Sequence, residues 1–249
     1  MIGALLRAAK NSRLYAFNQI DRDRWVEGEA AHQAAGSRVL DVGAGSAPYR
    51  QLFSHCEYKT QDFAQLQPSQ LRDGSYGAID YVCDATSIPV ADASFDVIVC
   101  TEVLEHVPEP TMVLREFARI LRPGGRVLLS APLGSGIHQE PHHYFGGFTP
   151  WWYQRVLTQE GFDSIVIEPN GGSFRFFGQE AVRFARTTAP NQLTMPLVAR
   201  VAWTPVWLLL LPVLAGVVPL VAAALDRYDR DRRFTVGYHV SATRRGNQE

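Results

Sequence analysis

Val39-Leu40-Asp41-Val42-Gly43-Ala44-Gly45 decides how this chain is read. An apolar run ends on a carboxylate and opens at once into a glycine turn, the pattern of a buried strand leaving a sheet. Glycines at 43 and 45 permit positive φ and let the backbone approach a ligand closely. A helix is expected next, with Pro48 in its first turn, so that its free N–H groups favour negative charge on that ligand. A dinucleotide turn would read G-x-G-x-x-G, whereas here the run continues Ser46-Ala47-Pro48 and the third glycine is missing. An acid two places before the first glycine also repels a pyrophosphate and suits a ligand that carries an amine or another cation. A nicotinamide oxidoreductase is disfavoured on both counts.

Outward from the turn, residues from about 36 to 167 alternate short apolar runs with helical segments, which predicts a βαβ series and a mostly parallel sheet. Strands are expected at 38–42, 58–62, 79–83, 96–101, 126–130 and 164–167, with helices at 109–121 and 151–160. Met112, Leu114, Phe117, Ile120 and Leu121 supply an apolar face for the first of those helices. A last strand at 236–243 follows a long insertion, 171–234. Asp41 and Asp62 lie at the ends of the first two strands, and Asp84 directly follows the third. One such acid is most often a cap or turn former. Three facing one crevice point to a ligand, and an acid at the second strand end is placed to accept both hydroxyls of a ribose.

On these residues the chain resembles the class I S-adenosylmethionine-dependent methyltransferases. The resemblance implies an α/β, Rossmann-like seven-stranded sheet with helices on both faces, interrupted here by an apolar helical insertion before the last strand. That strand would enter antiparallel between strands five and six. The implied cofactor is S-adenosyl-L-methionine, with Asp41, Gly43, Ala44 and Gly45 at its amino-acid end. Asp62 would serve its ribose, Asp84-Ala85 its adenine edge, and Thr101 with Glu102 the cleft wall. Ala47 stands where many members carry a third glycine, and Asp96 in Ser94-Phe95-Asp96-Val97-Ile98 is expected to cap or turn the chain.

Glu105-His106-Val107 matches the family's segment after strand four, which puts His106 near the methyl donor or in a structural hydrogen bond. His138, Glu140, His142, His143 and Tyr144 crowd the loop after strand five. That loop resembles a bacterial subset with a Pro-His-Asp-aromatic segment, except that His143 replaces the acid and Gly146-Gly147 is expected to loosen it. The catalytic candidates are His142, His143 and His106, since histidine suits a general base near neutral pH for a hydroxyl or carboxyl acceptor. No metal site is expected, because the histidines and Glu140 show no fixed ligand frame in sequence.

With 249 residues the chain can build one sizeable core with length to spare, and a net charge of −1 gives nucleic acid no electrostatic foothold. Cys56, Cys83 and Cys100 form no C-x-x-C pair and read as reduced thiols of a cytosolic protein. Residues 1–35 are expected to be an N-terminal helical segment, amphipathic over Met1–Tyr15, either packed on the domain or lying on a membrane. Residues 36–170 and 235–243 would form the methyltransferase domain, 171–234 the insertion and 244–249 a tail.

Val201 to Leu225 carries no charge and is long enough to span a bilayer. A single crossing would strand the last strand away from its sheet, and Pro205, Pro212 and Pro219 interrupt the run. The expectation is therefore a hairpin broken near Pro212 or Gly216, each arm reaching about 18 Å into the inner leaflet. Trp203 and Trp207 would sit at headgroup level and Arg227, Arg230, Arg232 and Arg233 near anionic lipid. A buried helix pair or a dimer interface would cover the same residues. The functional expectation is methylation of a small or lipid-linked acceptor, a prenyl quinone or a lipid-carried saccharide, at the inner face of the cytoplasmic membrane. A catalytically silent, membrane-associated cofactor-binding scaffold stands beside it.

Overall fold

The computed structural model describes residues 12–246, so most of the expected N-terminal amphipathic helix lies outside the described residues. One seven-stranded sheet runs in the order β3-β2-β1-β4-β5-β7-β6. Its strands are β1 (Arg38–Val42), β2 (Glu57–Asp62), β3 (Tyr81–Val82), β4 (Phe95–Thr101), β5 (Leu121–Pro132), β6 (Phe162–Pro169) and β7 (Gly237–Arg244). β1 to β5 pair in parallel, and β7 enters antiparallel to β5 as expected. Strand order reverses between β1 and β4, the switch point at which such sheets hold ligands.

Alternation in β4 divides the core between two faces. Ile98 and Cys100 join Val113, Leu114, Phe117 and Ile120 of α2 (Pro110–Ile120) and Tyr153 and Leu157 of α3 (Pro150–Gln159). Val97 and Val99 join Val26 and Ala30 of α1 (Phe17–Ala31) together with Tyr49 and Phe53. Val113 takes the buried place expected of Met112, which lies on the exposed side of α2.

Three local expectations change. The third strand shrinks to two residues. β5 starts at Leu121, because Arg122-Pro123-Gly124-Gly125 forms an irregularity within the strand instead of a loop before it. No regular helix follows the glycine turn: residues 48–55 are successive turns, with Leu52 N–H on Tyr49 O at 2.9 Å and Ser54 N–H on Gln51 O at 3.3 Å. Burial of Tyr49 and Phe53 holds this segment in place of a helical ladder.

The chain divides into two compact units, one of residues up to 21 with 169–236, the other of 22–168 with 237 onward. The N-terminal helix is thus shared between them. In the first unit, residues Leu197–Tyr228 run as one continuous helix. It comprises α5 (Leu197–Pro212), a π-helical turn at Val213–Val217, α6 (Val218–Leu225) and a closing 3-10 turn. The expected break at Pro212 or Gly216 does not occur. Pro212 closes α5, a π turn follows it, and the Ala215 carbonyl, four residues before Pro219, accepts from the Tyr15 hydroxyl at 2.5 Å in place of the donor that proline lacks.

The returning arm is α4 (Ser173–Thr187), which packs along the long helix. Gly178 lies so close to α6 that a Cβ there would sit 2.9 Å from the Ala222 Cβ. Asp226 caps the start of α4 by accepting from the N–H groups of Gly172 at 3.0 Å and Arg175 at 2.9 Å. The indoles of Trp203 and Trp207 donate to the carbonyls of Thr188 and Ala185, each at 2.8 Å, so they face α4 and not a headgroup layer. The opposite face exposes Val198, Val201, Leu208, Leu209, Val213 and Val217, and only 11% of the most apolar stretch is buried.

Candidate functional site

Gly43 and Gly45 both take positive φ, +67° and +54°. A Cβ at Gly43 would lie 2.3 Å from Val103 Cγ2, so the turn closes against the segment after β4 in a way only glycine allows. The turn's N–H groups point to the end of β2. Gly43 donates to Gln61 Oε1 at 3.3 Å, Ala44 to the Gln61 carbonyl at 3.0 Å, and Gly45 to Asp62 Oδ2 at 2.9 Å. Ala47, where a third glycine is common, has φ +52°, which explains the usual residue at that place.

The three acids differ in setting. Asp62 is buried and accepts from Gly45 through Oδ2 and from Ala64 N–H through Oδ1 at 2.8 Å. Asp84 is exposed, and its Oδ1 accepts from the Thr86 N–H at 2.8 Å and hydroxyl at 2.7 Å, a turn that leaves Oδ2 outward beside buried Ala85. Asp41 is almost fully buried and accepts a hydrogen bond from the Tyr58 phenol. Burial raises its pKa to about 7, against the lowering effect of Tyr58, and nearby Asp62 adds to the rise. Burial, then Asp41, push the Tyr58 pKa far up, so the phenol remains a donor.

At the end of β4, Thr101 meets the Tyr49 hydroxyl at 3.5 Å, and Glu102 adopts φ +55°, a strained backbone for a non-glycine residue. Its carboxylate accepts from Ser130 Oγ at 2.8 Å and pairs with Arg22 at 3.4 Å. Burial works to lower the Arg22 pKa, but Glu102 and then Tyr49 raise it overall. Glu105, three residues on, is buried with neither oxygen hydrogen-bonded, and burial followed by the Glu102 charge raises its pKa well above the usual carboxylate value.

The loop after β5 folds back onto this segment. Tyr144 and Phe145 N–H groups both donate to the Glu105 carbonyl, at 2.9 and 3.1 Å. Gly147 does not loosen the loop: with φ +152°, a Cβ there would fall 2.3 Å from the Pro132 carbonyl oxygen, so it is a packing requirement. Gln139 and Gln70 exchange side-chain donors across the crevice, Gln139 Nε2 to Gln70 O and Gln70 Nε2 to Glu140 O, each at 3.2 Å.

Of the expected catalytic histidines, His142 stacks edge-on to Phe63 at 5.0 Å, one residue from Asp62. His106 and His143 stand together at a ring separation of 5.6 Å, with His138 between 4.6 and 4.8 Å from each. Burial lowers the His106 pKa to about 4 despite its hydrogen bond to the His142 carbonyl, and burial with His138 lowers that of His143.

Thus the glycine turn, Asp62, Thr101 and Glu102 lie at the carboxyl ends of β1, β2 and β4 around the switch point, Asp84 follows the edge strand β3, and Asp41 is buried beneath the turn. Tyr58 over Asp41, Arg22 on Glu102 and the orphaned carboxyl of Glu105 were not foreseen. Their partnerships depend on strand register and on α1, and no local spacing signals them.

Comparison with known proteins accords with this layout. Residues 40–129 match the family described as "Methyltransferase domain". The "Ubiquinone biosynthesis O-methyltransferase" of Xanthomonas oryzae pv. oryzae (strain PXO99A) is 35% identical over 185 residues, covering 63% of this chain and 76% of that protein. The protein of the same name from Ralstonia nicotianae is 35% identical over 138 residues, covering 53% and 55%. In fold, the chain is similar to an S-adenosylmethionine-dependent methyltransferase from Archaeoglobus fulgidus, with TM-score 0.52, 14% identity and coverage of 89% and 94%. It is also similar to Haemonchus contortus phosphoethanolamine N-methyltransferase 2 in complex with S-adenosyl-L-methionine, with TM-score 0.51, 15% identity and coverage of 91% and 53%. The cofactor is S-adenosylmethionine and the acceptor a small molecule, and the silent scaffold is not favoured. Sheet order, glycine turn and sequence relatives agree that the chain belongs to the class I S-adenosylmethionine-dependent methyltransferases.

Proposed function

We propose that this enzyme is an O-methyltransferase whose acceptor is a prenyl quinone-type phenol, met at the inner face of the cytoplasmic membrane. The observation that carries the reading is the helix Leu197–Tyr228, with its apolar outer face exposed, in a chain akin to proteins named for ubiquinone biosynthesis. An exposed apolar stripe of this length marks an interaction surface. Its partner helix α4 carries Arg175, Glu180, Arg183 and Arg186, which disfavours passage of the pair through a hydrocarbon core. The helix instead lies in the membrane plane, its outer face in the acyl boundary.

S-adenosylmethionine, when bound, supplies an activated methyl carbon on a sulfonium. Gly43, Ala44 and Gly45 leave it backbone room, Asp62 accepts from its ribose, Asp84 with Ala85 meets its adenine edge, and Thr101 and Glu102 wall the cleft. Asp41 acts from below, orienting Tyr58. The work of the protein is then alignment and exclusion of water. His142, at the mouth beside Phe63, takes the proton of the acceptor hydroxyl as its oxygen gains the methyl. His106 and His143 stand behind it and shape the wall.

Asp62→Ala removes the acceptor for Gly45 and Ala64 as well as the ribose contact, so S-adenosylmethionine should bind about 100-fold more weakly, roughly 2.7 kcal/mol. Equilibrium dialysis with an unaltered circular-dichroism spectrum checks this; unchanged affinity would remove Asp62 from the site.

The acceptor is tested with labelled S-adenosylmethionine and a prenylated catechol in anionic vesicles, beside the same ring without its tail. Methylation of the ring oxygen is expected, with vesicles raising kcat/KM at least about tenfold and His142→Ala lowering turnover about 100-fold or more at unchanged cofactor affinity. Leu209→Glu with Val213→Glu should abolish the vesicle effect alone. Methyl transfer to an amine or saccharide fraction, with none to the prenylated ring, overturns the reading.

A further inference from the structure

Three imidazoles converge where the loop after β5 meets the turn after β4. His106, His138 and His143 each offer a ring nitrogen within 4.8 Å of the other two. Sequence spacing hides this set, since 31 residues separate His106 from His138 in the chain. The frame is held by backbone bonds: Tyr144 and Phe145 donate to the Glu105 carbonyl, and Ser135 N–H donates to Gly146 O at 2.6 Å.

Hydrogen bonding assigns the bare nitrogens. His106 Nδ1 is 2.5 Å from the His142 carbonyl, and His138 Nδ1 is 2.9 Å from the Gly136 carbonyl. A carbonyl only accepts, so both Nδ1 atoms carry the hydrogen and both Nε2 atoms present lone pairs. Such a carbonyl partner is the arrangement that orients metal-ligating histidines. The third ring, His143, has a buried Nδ1 without a hydrogen-bond partner.

A second, independent observation points to a cation. The Glu105 carboxyl is buried, both of its oxygens lack hydrogen bonds, and Oε1 lies 3.7 Å from His106 Nε2. A buried polar group left unpaired is costly. A nearby positive ion would compensate this one.

We propose that His106, His138 and His143 form a binding site for one divalent transition-metal ion of the zinc class, with Glu105 as the adjacent compensating carboxylate. Imidazole donors suit zinc and its neighbours and not magnesium or calcium. Three protein nitrogens also leave a fourth tetrahedral position open for water or another oxygen ligand. Tetrahedral zinc holds its nitrogens roughly 3.4 Å apart. Rotation of the exposed His138 ring and a small shift of its neighbours close the set.

The test requires no acceptor and is independent of the function proposed above. Full-length protein stripped with a chelator, in a Cys56→Ser, Cys83→Ser background, is titrated with Zn²⁺ against a chromophoric chelator. One ion per chain is expected, with His138→Ala and His143→Ala each weakening it at least about tenfold. Co²⁺ in place of Zn²⁺ should give the visible absorption of a four-coordinate site, without thiolate charge transfer. His138 is exposed, so its alanine variant reports on binding and not on folding. Stoichiometric Zn²⁺ binding with equal affinity in the parent and in His138→Ala overturns the proposal, as does absence of binding by the parent.

Discussion

Gly43→Ala should destabilise the fold by about 2–5 kcal/mol and weaken S-adenosylmethionine binding by about 100-fold, the former from a disfavoured backbone plus overpacking. Two causes act together. The alanine must hold φ near +67°, and its methyl would meet Val103 Cγ2 at 2.3 Å. Val103 packs against the core, so it cannot swing clear without cost. The causes separate in a double-mutant cycle with Val103→Ala, which removes the clash and leaves the backbone strain. More than half of the lost stability should return in the double variant, read by urea unfolding, while cofactor affinity recovers only in part. Additive losses in the two variants would show that the turn does not close against Val103.

Asp41→Asn should change how stability depends on pH. Burial lifts the Asp41 pKa from 3.8 to about 7 in the folded chain. The unfolded chain therefore releases this proton first, and the folded state binds more protons between the two values. The stability contributed by the protonated group is complete below about pH 4, falls as pH rises toward 7, and is level above that. A shift of about three units corresponds to up to roughly 4 kcal/mol. Asparagine has no proton to lose, and its amide oxygen still accepts from Tyr58. Relative to the parent, the variant should thus gain several kcal/mol between pH 4.5 and pH 8 in denaturant unfolding. Parallel stability curves for the two proteins would mean that Asp41 is ionised in the folded state.

Much of the sheet was legible in the chain because strand signals are local. Apolar runs at 39–42 and 97–100 bury both faces, and Gly43 announces the turn by leaving the strand with positive φ. The family resemblance supplied the antiparallel entry of β7, which no local pattern contains. Where expectation failed, distant packing outweighed local propensity. Pro48 suggested a helix start, yet Tyr49 and Phe53 reach the core from a run of turns. Pro212 suggested a break, yet a π turn carries the helix through it. Gly147 suggested slack, yet it is wedged against the Pro132 carbonyl.

The candidate site divides the same way. The sequence alone determined which groups end the strands, because each strand delivers its terminal residue to the same edge of a parallel sheet: the glycine turn, Asp62, Asp84 and Glu102. It also determined that about 25 uncharged residues must find an apolar surface. Only the tertiary structure decided what those groups can do. Register set Tyr58 over Asp41 and made that residue a buried carboxyl with a raised pKa. Loop closure set His106, His138 and His143 around one point. The physical reason is that strand and turn signals depend on neighbours in the chain, whereas a pKa or a ligand set depends on neighbours in space.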